Sequence, residues 1–144
     1  MEIKVQEGFP DIEITIKCPA ASEEVRAIIS RLRGDDYRLI GIKDGKAALI
    51  DNRDVLYFES VEKRCFIYTA ADVYETGLRL YEIEERLGGA GFFRNAKSQI
   101  LNIAKIKSLC PDFGGRLEVV MENGEKLIAS RQYAKLLKEK LGLK

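Results

Sequence analysis

The chain has 144 residues, 46% of them hydrophobic and 33% charged, with 24 Lys and Arg against 23 Asp and Glu. That length holds one domain, or one with a small appendage, and the composition is that of a soluble globule rather than a disordered or fibrous chain. Histidine is absent, which excludes imidazole acid–base catalysis, His-ligated zinc and histidine pH switching.

Cys18, Cys65 and Cys110 are an odd number with no CxxC among them, so the expectation is three reduced thiols in a cytoplasmic protein, with neither a disulfide framework nor a zinc site. No apolar run approaches the roughly 18 residues of a membrane span, and the charged, alternating amino terminus is not a secretory signal. Charge is uneven along the chain. Residues 1–52 carry 8 basic and 10 acidic groups, whereas residues 91–144 carry 11 basic and 5 acidic, so a polyanion would prefer the second half.

In chain order, Ile3 and Val5, then Ile12, Ile14 and Ile16, alternate with polar residues and predict two half-buried strands around a turn at Gly8 and Pro10. Ser22 is placed to cap a helix whose Val25, Ile28, Ile29 and Leu32 fall on one face, ending at Gly34. Tyr37, Leu39, Ile40 and Ile42 predict a further strand. Residues 1–45 thus read as a small strand-helix-strand extension of α+β character, closed by the polar turn at residues 43–46, with a second unit over residues 46–144. Short strands are expected there at 47–50, 55–61, 65–69 and 73–76, at the spacing of an all-β domain.

Leu80, Ile83, Glu84 and Leu87 predict one short helix stopped by Gly88-Gly89, and three apolar runs follow that are too short to type from periodicity. Leu117, Val119 and Met121 then alternate toward Asn123-Gly124, a strong hairpin signal, with residues 126–129 returning antiparallel. Ser130 is placed to cap a final helix over 131–141 that Gly142 ends.

Catalytic equipment is sparse. The serines have no histidine to act as base, and Glu82, Glu84 and Glu85 lie between Arg79 and Arg86 on a helix, which is the pattern of a solvated face. Residues 88–91 lack the lysine of a phosphate loop and read as a helix stop. The richer signal is residues 92–103, where Phe92-Phe93 and Ile100-Leu101 bracket two cations, two amides and a hydroxyl, groups suited to phosphate oxygens and base edges.

Around that run a longer pattern holds in order and spacing: Val55 to Ser60, Tyr68-Thr69, Leu80 to Leu87, Gly91 to Arg94, Lys97-Ser98, Leu101 to Ile103, Ile106 to Ser108, Asn123 to Lys126 and Ser130 to Tyr133. Over roughly residues 46–142 the sequence resembles the LytTR-type DNA-binding domain family. The resemblance implies a mainly β domain of short strands and few helices, and a bacterial, cytoplasmic transcription regulator that inserts loops and a helix start into the major groove of double-stranded DNA.

Three segments match the family's DNA-contacting positions: Lys63 and Arg64, then Arg94, Asn95, Lys97 and Ser98, then Arg131, Gln132 and Lys135. Lys and Arg release counterions from phosphates or read guanine, and Asn and Gln can pair with adenine. Ala96, where the family often has histidine, and Gln132, where it often has arginine, depart from the pattern and bear on base preference.

With only about 45 residues ahead of the matched part, too few for a receiver domain, the expectation is a stand-alone regulator, homodimeric, held in check by a membrane-bound inhibitory protein, with no cofactor, no metal and no enzymatic activity. The Val25 to Leu32 stripe either packs on its own strands or makes the dimer. The competing reading is a protein-interaction or ligand-sensing module whose basic half binds an acidic partner; an RNA-binding reading lacks the aromatic stacking motif of common RNA modules.

Overall fold

A computed structural model describes residues 1–33 and 38–143. Residues 1–22 form no helix or strand, after which come α1 (Glu23–Arg33), β1 (Arg38–Lys43), β2 (Lys46–Asp51), β3 (Val55–Val61), β4 (Arg64–Thr69), β5 (Val73–Thr76) and α2 (Leu80–Leu87). The chain continues through β6 (Phe92–Ala96), β7 (Gln99–Asn102), β8 (Ile106–Pro111), β9 (Leu117–Met121), β10 (Lys126–Ala129) and α3 (Arg131–Lys140). Seven strands form one sheet in the order β2-β1-β5-β4-β3-β7-β6, and β10-β9-β8 form a second. Every recorded pairing is antiparallel.

The large sheet is a middle layer, which explains why β3 opens with four consecutive buried residues rather than an alternating pattern. Phe58, Ile67 and Ile100 face Leu80, Ile83 and Leu87 of α2 in one core. Leu56, Tyr57 and Leu101 face the other way, onto Val119, Met121 and Leu127 of the second sheet and Ala134 and Leu137 of α3. Burying a residue such as Phe58 or Leu137 in full stabilises the fold by about 1.5–3 kcal/mol.

At the carboxy end the expected hairpin turns at Gly124, whose φ of 89° suits glycine, and Met121 donates its N–H to the Glu125 carbonyl at 2.9 Å. As expected, α2 ends at Leu87 with Gly88 in the C-cap position; a separate 3-10 turn follows at Gly88–Ala90, and the left-handed residue is Gly91, at φ 89°.

The amino-terminal strands expected around residues 3–5 and 12–16 are not formed: Ile3 is 81% and Ile12 91% exposed. Alternation specifies which face of a strand would be buried but supplies no layer to bury it against, and two strands alone are marginal in water. Among the described residues α1 rests chiefly on the turn at residues 88–90, and its stripe is only half-buried at Val25, Ile28 and Ile29, with Leu32 55% exposed. The expected helix end at Gly34 and the strand start at Tyr37 lie outside the described residues.

The boundary expected after residue 45 falls in the tight turn of a hairpin, where Asp44 and Gly45 take φ of 51° and 74°. Across it β1 pairs with β2 from Arg38↔Asp51 to Lys43↔Lys46, and Ile42 pairs with Glu75 of β5. Leu39 is 1% exposed in the first core. The large sheet thus takes in the last part of the amino-terminal segment.

Candidate nucleic-acid interface

The three basic segments singled out in the sequence meet at one end of the fold, for reasons of register. In the large sheet β3 lies beside β7, with Glu59 opposite Gln99, so the β3-β4 hairpin tip and the β6-β7 tip are neighbours. The Ser60 N–H donates to the Ser98 carbonyl at 2.8 Å and ties them together. On the other flank, the Ser130 N–H donates to the Asn95 carbonyl at 2.9 Å, fixing the start of α3 against β6. Ser130 sits at the cap position, yet its hydroxyl makes no capping hydrogen bond.

At the first tip Lys63 is exposed, in a turn where Glu62 and Lys63 both take positive φ, 49° and 67°. Two such non-glycine residues in succession mark a tight turn. Arg64 is less free. Its guanidinium pairs with both carboxylate oxygens of Glu75 on β5, at 2.5 and 3.1 Å, and lies over the Phe66 ring at 5.4 Å. The carboxylate partner raises the Arg64 pKa, and the same pairing lowers that of Glu75.

In the middle segment Lys97 and Ser98 are exposed at the tip, while Arg94 folds back on it. Arg94 Nε donates to the Ala96 carbonyl at 3.1 Å and Nη2 to the Lys97 carbonyl at 2.6 Å, and Nη1 stands 4.0 Å from Glu84 of α2. It therefore shapes the loop that presents Lys97.

Asn95, the remaining residue of this segment, does not lie at the surface. It is 0% exposed, because the register shift between Arg94 and Ala96 marks a β-bulge that turns its side chain inward. Its Nδ2 donates to Gln99 Oε1 at 2.7 Å and to the Ile128 carbonyl at 3.1 Å, and Gln99 in turn donates to Glu59 at 2.8 Å. Asn95 Oδ1 has no hydrogen-bond partner. The residue joins the two sheets beneath the basic end rather than standing on it.

Arg131, Gln132 and Lys135 are exposed at the start of α3. The turn at Phe113–Gly115 lies against Arg131: a Cβ placed on Gly115 would be 3.2 Å from Arg131 Cγ, and Gly115 has φ of 80°. Sequence reading did not single out Gly115, since only the fold sets it beside Arg131. Arg79, in sequence part of a charged helix face, lies beside the two tips, in a concavity with Lys63 and Lys97.

Among the described residues no group of three His, Cys, Asp or Glu is placed to hold a metal, and no helix is long and apolar enough to cross a membrane. Cys18 and Cys110 are exposed thiols, and burial pushes the Cys65 thiol up to about 11.

The fold and this end together define a class: a layered, mainly antiparallel β domain whose basic end is built from two hairpin tips and a helix start. The family model for the LytTr DNA-binding domain matches residues 45–142, and the chain belongs to that family. An uncharacterised HTH-type transcriptional regulator of Staphylococcus aureus (strain NCTC 8325) is 30% identical over 132 residues, covering 90% of this chain and 89% of its own. The sensory transduction protein LytT of Enterococcus faecalis is 40% identical over 139 residues, 94% of this chain, which spans 57% of that protein. Among solved structures, the LytTr DNA-binding domain of a Bacillus cereus protein described as a methyl-accepting/DNA response regulator superposes with a TM-score of 0.70 at 24% identity. It covers 74% of this chain and 97% of its own, and shows that the fold is shared. Among the described residues, strands separate all three α-helices, so no helix-turn-helix is formed.

Proposed function

We propose that this chain is a sequence-specific, double-stranded DNA-binding transcription regulator acting in the bacterial cytoplasm. It presents Lys63 and Arg64, Lys97 and Ser98, and Arg131, Gln132 and Lys135 to DNA, with Arg94 holding the middle loop in shape. The observation that carries the reading is the pair of backbone hydrogen bonds, Ser60 to Ser98 and Ser130 to Asn95, joining three basic segments far apart in sequence into one surface. Membership of the family and the transcriptional regulators among its relatives support it. Loops and a helix start suit major-groove edges, where Gln132 can bridge adenine N6 and N7 and an arginine can bridge guanine O6 and N7. Half-buried α1, with Leu32 exposed at its end, is the surface we propose for a homodimer.

Selection from a random duplex pool tests the reading. Wild type should enrich one reproducible motif, and Lys97→Ala, at an exposed tip, should bind it at least several-fold more weakly without losing thermal stability. Weak binding independent of sequence would favour an acidic protein partner instead.

A further inference from the structure

Between the two hairpin tips and the start of α2 lies a concavity of about 470 Å³, lined by Ser60, Lys63, Arg79, Tyr81, Lys97 and Ser98. Cys65 forms part of its floor and Arg94 part of its wall. Three of these side chains are cations with no carboxylate partner among the described residues: Lys63, Arg79 and Lys97. Two of the neighbouring carboxylates on α2 are engaged elsewhere. Glu82 accepts the Arg79 backbone N–H at 3.1 Å, and Glu84 faces Arg94. Burial keeps the Cys65 thiol protonated at neutral pH, so it adds no negative charge.

Unpaired cations converging on one hollow, with two serine hydroxyls and a tyrosine hydroxyl at hand, suit a group with several acceptor oxygens and a negative charge. A flat surface carrying the same charges would be satisfied by water and mobile ions. A concavity lets three cations and the hydroxyls act on one group at once. It opens beside the tips that carry Lys63 and Lys97, where a duplex lying across the basic end would bring its backbone.

We infer that this hollow is a phosphate subsite: it seats one backbone phosphate of the bound duplex, with Arg79 as a binding residue alongside Lys63 and Lys97. The inference rests on the proposed DNA-binding reading and deepens it. Arg79 contributes affinity and register on the duplex without reading sequence, because a phosphate is the same at every step.

The test uses the full chain with the duplex selected by wild type and with scrambled duplexes. Arg79→Ala removes an exposed side chain and should leave the melting temperature unchanged. It should weaken binding to all duplexes by a similar factor and flatten the slope of log affinity against log salt by about 0.9, with the selected motif unaltered. Arg79→Lys should restore most of the slope. Equal affinity and slope for wild type and Arg79→Ala would overturn the subsite, as would a changed motif, which would make Arg79 a base reader. Titration with inorganic phosphate separates the sources: binding of free phosphate that Arg79→Ala abolishes, with duplex affinity unchanged, would assign the hollow to a small anion and overturn the backbone role. If wild type itself selects no duplex, the DNA-binding reading fails, and that result is distinct from a variant that merely matches wild type.

Discussion

The Asn95 carbonyl accepts the Ser130 N–H at 2.9 Å while the Asn95 side chain, 0% exposed, donates to Gln99 and to the Ile128 carbonyl. One residue thus fixes the start of α3 with its backbone and joins the two sheets with its amide. The position of Arg131 relative to Lys97 depends on it.

Asn95→Ala should therefore act on the fold first. It leaves Gln99 Oε1 and the Ile128 carbonyl without their donor, at a cost of about 1–3 kcal/mol by urea denaturation. Duplex affinity measured where the variant is folded should fall much less than for Lys97→Ala. Normal stability with lost binding would return Asn95 to the contact surface.

Gly115 and Gly114 form a matched pair for testing Arg131. Both have positive φ, 80° and 74°, so alanine at either should cost about 1 kcal/mol of backbone strain. Only at Gly115 would the new Cβ meet Arg131, 3.2 Å from its Cγ, whereas nothing lies within 4 Å at Gly114. Gly115→Ala should weaken duplex binding and Gly114→Ala should not, at similar melting temperatures; equal binding would separate Arg131 placement from the Gly115 turn.

Two truncations define where the folded unit begins. Removing residues 1–22 takes away no helix or strand and should leave the melting temperature within a few degrees of wild type. Removal through residue 43 deletes β1, with buried Leu39, and should lower it sharply. The same logic applies to Gly41, where a Cβ would lie 2.5 Å from Ile50 Cδ1 and 2.6 Å from Tyr74 Cβ, so Gly41→Val should destabilise as well. A folded, stable product lacking β1 would make that strand dispensable.

Acid sensitivity follows from Asp51. Hydrogen bonds from the Arg53 guanidinium and backbone N–H hold its carboxyl at about 2, below the ordinary 3.8. A carboxylate with a depressed folded-state value stabilises the fold above the unfolded value, and that contribution is lost as pH falls through 3.8 toward 2. The difference in melting temperature between wild type and Asp51→Asn should shrink over that window; a constant difference would show that the Arg53 bonds do not favour the ionised form.

Much of this was legible in sequence because local signals and tertiary demands agree. The β3 run Val55 to Val61, the α2 stripe at Leu80, Ile83 and Leu87, and the Asn123-Gly124 turn each carry a period or a turn chemistry that the fold uses directly. Ile3 to Ile16 carries the period without a layer to complete it. Asn95 has the composition of a surface contact, and only the bulge, which no short pattern announces, turns it inward. Arg79 and Gly115 acquire a role solely from what the topology sets beside them: the hairpin tips in one case and Arg131 in the other.

The central claim is that three separated segments make one DNA-binding surface, and amide chemical-shift mapping with the selected duplex tests it most directly. The account predicts that the largest changes fall together at residues 62–64, 94–98 and 131–135, with little change along residues 1–22 or at Leu49 and Glu122 in the hollow lined by Leu56 and Tyr74. Changes confined to one of the three segments, or centred on residues 1–22, would contradict it.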